Sequence, residues 1–142
     1  METCAYDEIY LSDAQNILGH AFDFALVTLG FSIDDFTDKL INSRSAAQFE
    51  RGNPKYVTGM NGCEFVKEIY AEDGIEIDHQ DEMYLDKSLE YWCGWAIAFY
   101  QWYSAKSFKN IFERVSIDKL LRMYPVFHEM DIMRFVEAMD EL

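Results

Sequence analysis

Residues 89–104 read LEYWCGWAIAFYQWYS, with seven aromatic rings in the thirteen positions from Tyr91 to Tyr103. No proline or turn-forming pair interrupts the run, so it predicts a helix from Leu89 to about Ala105. Leu89, Trp92, Cys93, Ala96, Tyr100 and Tyr103 share one stripe, while Tyr91, Trp95, Ala98 and Trp102 share another. A helix that is apolar nearly all round belongs at the centre of a domain, covered by its neighbours. Gly94 and Ala98 leave room for a second backbone to approach, which offsets the cost of glycine inside a helix. The apolar run, Tyr91 to Tyr103, is too short to cross a bilayer.

Working outward, the rest of the chain is also punctuated as helices. Ser12 with Gln15 reads as a capping box opening a first helix, and Gly30 as its stop. Ser32 caps a shorter helix with Ile33, Phe36, Leu40 and Ile41 inward, and a third helix around Ala46 to Glu50 ends at Gly52. The segment GNPKYVTGMNG, residues 52–62, reads as a loop. Asn61 with Glu64 opens the next helix, carrying Phe65, Val66, Ile69 and Tyr70. Beyond Ala105, Ser107 and Ser116 start two short helices, the second ended by Pro125. A last helix follows, with Asp131 suited to its N-cap.

Between the two halves, 1–71 and 87–142, lies EDGIEIDHQDEMYLD, residues 72–86, with seven acids and no Lys or Arg. It has no helical period and reads as a solvated connection with a brief extended piece at Ile75 to Ile77. Each half alone makes a thin core, so the expectation is one all-α domain, an irregular bundle of about seven or eight helices.

Composition narrows function by exclusion. Against 12 Lys and Arg stand 26 Asp and Glu, a formal charge of −14 that disfavours direct contact with nucleic acid or anionic membrane and favours a protein partner with a basic surface. The three cysteines, Cys4, Cys63 and Cys93, have no metal or disulfide spacing. The acidic start METCAYDEIY is unlike a secretory signal, and a cytoplasmic location is expected. No phosphate loop, GxSxG, HExxH or CxxC is present, so neither enzyme chemistry nor a cofactor is expected.

Candidate residues are therefore those suited to binding. Arg51, Asn53, Lys55, Tyr56 and Asn61 gather donors and a ring in and just before the 52–62 loop, in a chain short of positive charge. Tyr91, Trp95 and Trp102 form the stripe available to a partner, since Trp and Tyr are favoured interface anchors. Asp78, Asp81 and Glu82 in the acidic connection offer a landing strip for a basic surface. A homo-oligomer is the other option. His128 with Glu129 and Asp131 is the nearest approach to a catalytic or metal cluster, and two ligands make no site.

QFERGNPKYVTGMNG, YWCGWAIAFYQWYS and MYPVFHEMD resemble three blocks of a family of small acidic bacterial proteins encoded beside ADP-ribosyltransferase-like, toxin-type proteins. The resemblance spans most of the chain, from about Leu11 to Met139. It implies an antitoxin or immunity-type role by association and supplies no catalytic residues. The alternatives are a DNA-mimicking, phage-type inhibitor of a nuclease, such as an anti-CRISPR, and a small enzyme using the His128 region.

Overall fold

The computed structural model describes residues 3–82 and 87–142. In chain order its α-helices are α1 (Leu11–Asp23), α2 (Ile33–Asn42), α3 (Arg44–Glu50), α4 (Pro54–Val57), α5 (Gly62–Ala71), α6 (Leu89–Ser104), α7 (Phe108–Arg114), α8 (Ile117–Phe127) and α9 (Ile132–Asp140). No strand occurs among the described residues, and the architecture is the expected irregular all-α bundle. The helix beyond the expected seven or eight is α4, a single turn inside the segment read as a loop. Asn53 caps it and Pro54 supplies the fixed φ of a first helical residue.

The central pair is α1 and α6, which pack along their length. Two glycines make that approach possible: Gly94 lies against the Leu18 carbonyl, and Gly19 lies against the Tyr91 ring. On another side of α1, Gly62 at the start of α5 fits against the backbone of Ile17 and Ala21. Leu18, Ala21, Phe22, Ala96, Ile97 and Phe65 are consequently shut off from water. Each large apolar side chain buried in this way contributes about 1.5–3 kcal/mol before its entropy cost.

Rings join the outer helices to the centre. Phe49 of α3 lies 5.3 Å from Phe65 of α5 and 5.9 Å from Phe108 of α7, centroid to centroid. Trp92 of α6 meets Tyr124 of α8 and Phe135 of α9 edge-on at 5.7 and 5.5 Å. Much of the aromatic excess is thus internal.

Helix ends follow the capping residues at Ser32, Asn61, Ser107, Ser116 and Asp131, each accepting a backbone N–H of its first turn. Two boundaries differ from the sequence reading. Ser12 does not cap α1; Asp7 instead caps a 3-10 turn, Glu8–Tyr10, that runs directly into the helix, leaving Ser12 exposed one residue inside it. Pro125 does not end α8, which continues to Phe127. A proline so near the C-terminus forfeits one N–H bond, and the exposed ring has solvent to lie in. At its other end α1 continues as a π-helical turn, Phe24–Thr28, before Gly30 turns left-handed at φ 68°.

The acidic connection is irregular from Ile75 to Glu82, with no strand at Ile75–Ile77, and positions 83–86 lie outside the described residues. Lys67 of α5 holds its described part in place, donating to the His79 carbonyl and pairing with Asp81 at 2.7 Å. Among the described residues no helix is long and apolar enough to cross a membrane.

Candidate functional site

The N-terminal end of α6 and the C-terminal end of α8 enclose a cleft of about 280 Å³ lined by Lys87, Ser88, Tyr91, Trp92, Trp95, Tyr124 and His128. Four of its seven walls are Tyr or Trp. Capping fixes the lower wall: the Ser88 oxygen accepts from the Tyr91 N–H, while its hydroxyl donates to Asp23 at 2.6 Å. Tyr91 is held from behind, its hydroxyl donating to Asn16 at 2.6 Å and its ring edge-on to His20. The Lys87 ammonium sits 5.1 Å above the Tyr91 ring.

Across the cleft, Tyr124 and His128 are four apart on α8 and stack at 4.1 Å with planes 14° apart. The His128 Nδ1 lies 2.6 Å from the Tyr124 carbonyl, so that nitrogen carries the proton and donates. Its Nε2 is 3.6 Å from Glu129. Asp131, the third member of the sequence cluster, caps α9 through the Met133 N–H. No group of three metal-ligating side chains occurs among the described residues.

Trp95 differs from the other rings of the cleft. It is half-buried, no aromatic ring stacks on it, and its indole N–H makes no hydrogen bond among the described residues. Its main-chain carbonyl accepts from the buried Gln15 side chain at 3.4 Å, which ties this turn of α6 to α1. The arrangement is a mostly aromatic wall edged by Lys87, Ser88 and His128.

No family model, curated protein or solved structure matches the chain.

The stripe read as Tyr91, Trp95 and Trp102 does not form one open surface. Tyr91 is only 4% exposed, turned onto α1. Trp102 is strapped by the N-terminal segment: its indole N–H donates to the Tyr6 carbonyl at 2.8 Å, and the Ala5 N–H donates to the Trp102 carbonyl at 2.8 Å. Trp95 alone of the three lines the cleft with neither constraint.

The loop candidates are more structural than their composition suggests. Asn53 caps α4 and also donates to Gln48. Tyr56 is buried, its hydroxyl donating to Glu68 at 3.2 Å, and Lys55 pairs with the same carboxylate at 3.5 Å. Arg51 is exposed. In the acidic connection Asp78 is exposed, while Asp81 is held by Lys67 and Asn61. The Lys67 hydrogen bond keeps the Asp81 carboxyl below the usual carboxylate range. The Glu82 carbonyl accepts from the Cys63 thiol.

Lys87, Ser88 and Tyr124 belong to the site without having been singled out in the sequence. Two signals could have found them: Ser88 precedes the aromatic helix by one residue, and Tyr124 and His128 have i, i+4 spacing.

Proposed function

We propose that the chain is a non-enzymatic protein-binding module that engages a partner with a basic surface, in the manner of an antitoxin or immunity-type regulator. The observation that carries this reading is Trp95, a half-buried indole that lines an aromatic cleft with no other aromatic ring against it. Such a ring is costly to leave in water and gains most when a second chain covers it.

Charge supports the same reading. Lys39, Arg44, Lys55, Lys67, Arg122 and Arg134 pair with carboxylates of the chain itself, which occupies half of its 12 basic side chains. The remaining acids create an attractive field for a basic partner, acting mostly on the rate of encounter. The resemblance to proteins encoded beside toxin-type neighbours makes such a toxin the first partner to test.

The test is capture of partners from native extract at low salt, with identification by mass spectrometry. A basic protein retained by the wild-type chain, released by salt and lost with Trp95→Ala at unchanged melting temperature is the expected result. Recovery of the chain alone, or equal capture by the variant, overturns the proposal. A captured nuclease would move the reading to a DNA mimic.

A further inference from the structure

One edge of α9 is left uncovered. Phe135, Val136 and Met139 bury its inner face. Asp131, Arg134, Ala138 and Glu141 follow one another at spacings of three and four residues, so they share one edge, and together they line a recess of about 510 Å³. At a helical rise of about 1.5 Å per residue, the edge from Asp131 to Glu141 is about 15 Å long. Phe127 and Met130, from the junction of α8 and α9, add apolar surface to the recess. Met130 is 49% exposed, and Val126 on the last turn of α8 is 55% exposed.

The charge around this groove is one-sided. Residues 126–142 hold five acids, Glu129, Asp131, Glu137, Asp140 and Glu141, against Arg134 alone. Arg134 already rests on Glu137 at 3.6 Å, and Glu141 makes no ion pair among the described residues. The Trp95 cleft is the opposite case, since its lining holds Lys87 and His128 and no carboxylate. The two recesses adjoin at the C-terminal end of α8, where Tyr124 and His128 line one and Phe127 lines the other. A basic partner that covers Trp95 therefore meets its counter-charges beyond the end of α8, along α9.

The shape of the groove restricts what fits it. No strand occurs among the described residues, so an added strand has no sheet edge to pair with, and recognition falls to side chains. An apolar floor about 15 Å long with acids beside it matches an amphipathic helix of about three turns. Methionine is an adaptable surface for such a face, because its unbranched side chain repacks easily.

We propose that the α9 groove receives an amphipathic helix of the protein partner, with large apolar side chains on Phe127, Met130 and Ala138 and with Lys or Arg beside Glu137 and Glu141. The inference rests on the protein-binding reading and names the surface that takes the partner's charge.

The test uses the intact chain with its methionine methyl groups labelled for NMR. The probe is a blocked helical peptide with leucine at i, i+3, i+4 and i+7 and lysine elsewhere. The expected result is a saturable shift of the Met130 methyl, with the Met60 methyl beside α1 unmoved. Affinities come from the anisotropy of the same peptide carrying a fluorophore. Met130→Gln should weaken binding by about fivefold at unchanged melting temperature, and so should Glu137→Gln combined with Glu141→Gln. Glu76→Gln combined with Glu113→Gln removes the same charge from exposed positions elsewhere and should leave the affinity within about twofold.

Equal losses in the two double variants, or equal binding of a peptide with glutamine in place of leucine, would reduce the effect to general charge attraction and overturn the proposal. An unmoved Met130 methyl, or wild-type affinity in Met130→Gln, also overturns it. The two readings fail separately. A captured partner that is lost with Trp95→Ala but kept by Met130→Gln and by the Glu137 and Glu141 double variant defeats the groove alone. Peptide binding in the groove without any captured protein defeats the protein-binding reading.

Discussion

Gly94 of α6 and Leu18 of α1 are in such close contact that a Cβ on Gly94 would lie 2.4 Å from the Leu18 carbonyl oxygen. The atom in the way is backbone, so no rotamer change relieves the clash. Helix propensity alone says Gly94→Ala should stabilise by about 0.8–1 kcal/mol. The packing reverses that sign, and we expect a net loss of about 1–3 kcal/mol, the range for overfilled cores. Urea denaturation measures it; a gain in stability would mean the two helices do not approach in this way.

Glu72 reaches back over the start of α3, accepting from the Ser43 hydroxyl and from the Arg44 and Ser45 N–H groups at 2.6, 2.7 and 3.1 Å. Burial pushes its carboxyl upward, but these donors outweigh burial and hold it below the usual range. A carboxyl depressed in the folded state contributes stability that is complete above its unfolded pKa, about 4.3, and is lost as pH falls through the lower folded value. Glu72→Gln should therefore flatten the acid limb of the stability profile and cost about 1 kcal/mol at neutral pH. An unchanged acid limb would argue against the cap.

Removing the amine of Lys67 should release the acidic connection without unfolding the bundle. Lys67→Met leaves the side-chain stem near the Phe24 ring but loses the bonds to His79 and Asp81. Limited proteolysis with a glutamate-specific protease should cut faster after Glu76 or Glu82, with the global melting temperature changed little. A cleavage rate equal to wild type would show that Lys67 does not hold the segment.

Two tryptophans of one helix should respond differently to the same change. Trp102→Phe removes the donor to Tyr6, so the Ala5 amide should exchange faster and stability fall by about 1 kcal/mol. Trp95→Phe removes an N–H that bonds to no described residue, and stability should stay within about 0.5 kcal/mol of wild type. Similar losses in both would place Trp95 in the core.

Thiol chemistry offers an inexpensive check of the burial pattern. Cys63 and Cys93 are buried, and desolvation raises both thiols above their ordinary range. Cys4 is partly exposed. In the native protein an aromatic disulfide reagent should titrate one thiol quickly, with the other two reacting only on unfolding.

Local signals in the sequence were the most legible. The caps at Ser32, Asn61, Ser107, Ser116 and Asp131 act within a single turn, so their residue types are enough to place them. The room at Gly94 was also readable, because a glycine in an apolar helix needs a packing reason. What could not be read depends on contacts distant in sequence. Asp7 displaces Ser12 as the starting signal because the preceding 3-10 turn exists. Tyr91 turns inward because Gly19 and Asn16 receive it, and Trp102 is covered because residues 5 and 6 fold over it. Periodicity put all three aromatic residues on one stripe but could not say what the rest of the chain would lay over it.

The pairing of α1 with α6 has a consequence for how the protein is made. Asn16 meets Tyr91, and Gln15 meets Trp95, across 75 and 80 residues of sequence. The first long helix therefore leaves the ribosome well before its main neighbour exists, and its apolar face must wait. Local helices with such distant partners fold more slowly than their helical content alone suggests. The N-terminal strap, whose seat is Trp102, can close only after α6 has emerged. Until α6 arrives, the face of α1 that carries Ala14, Leu18 and Phe22 stays open to water.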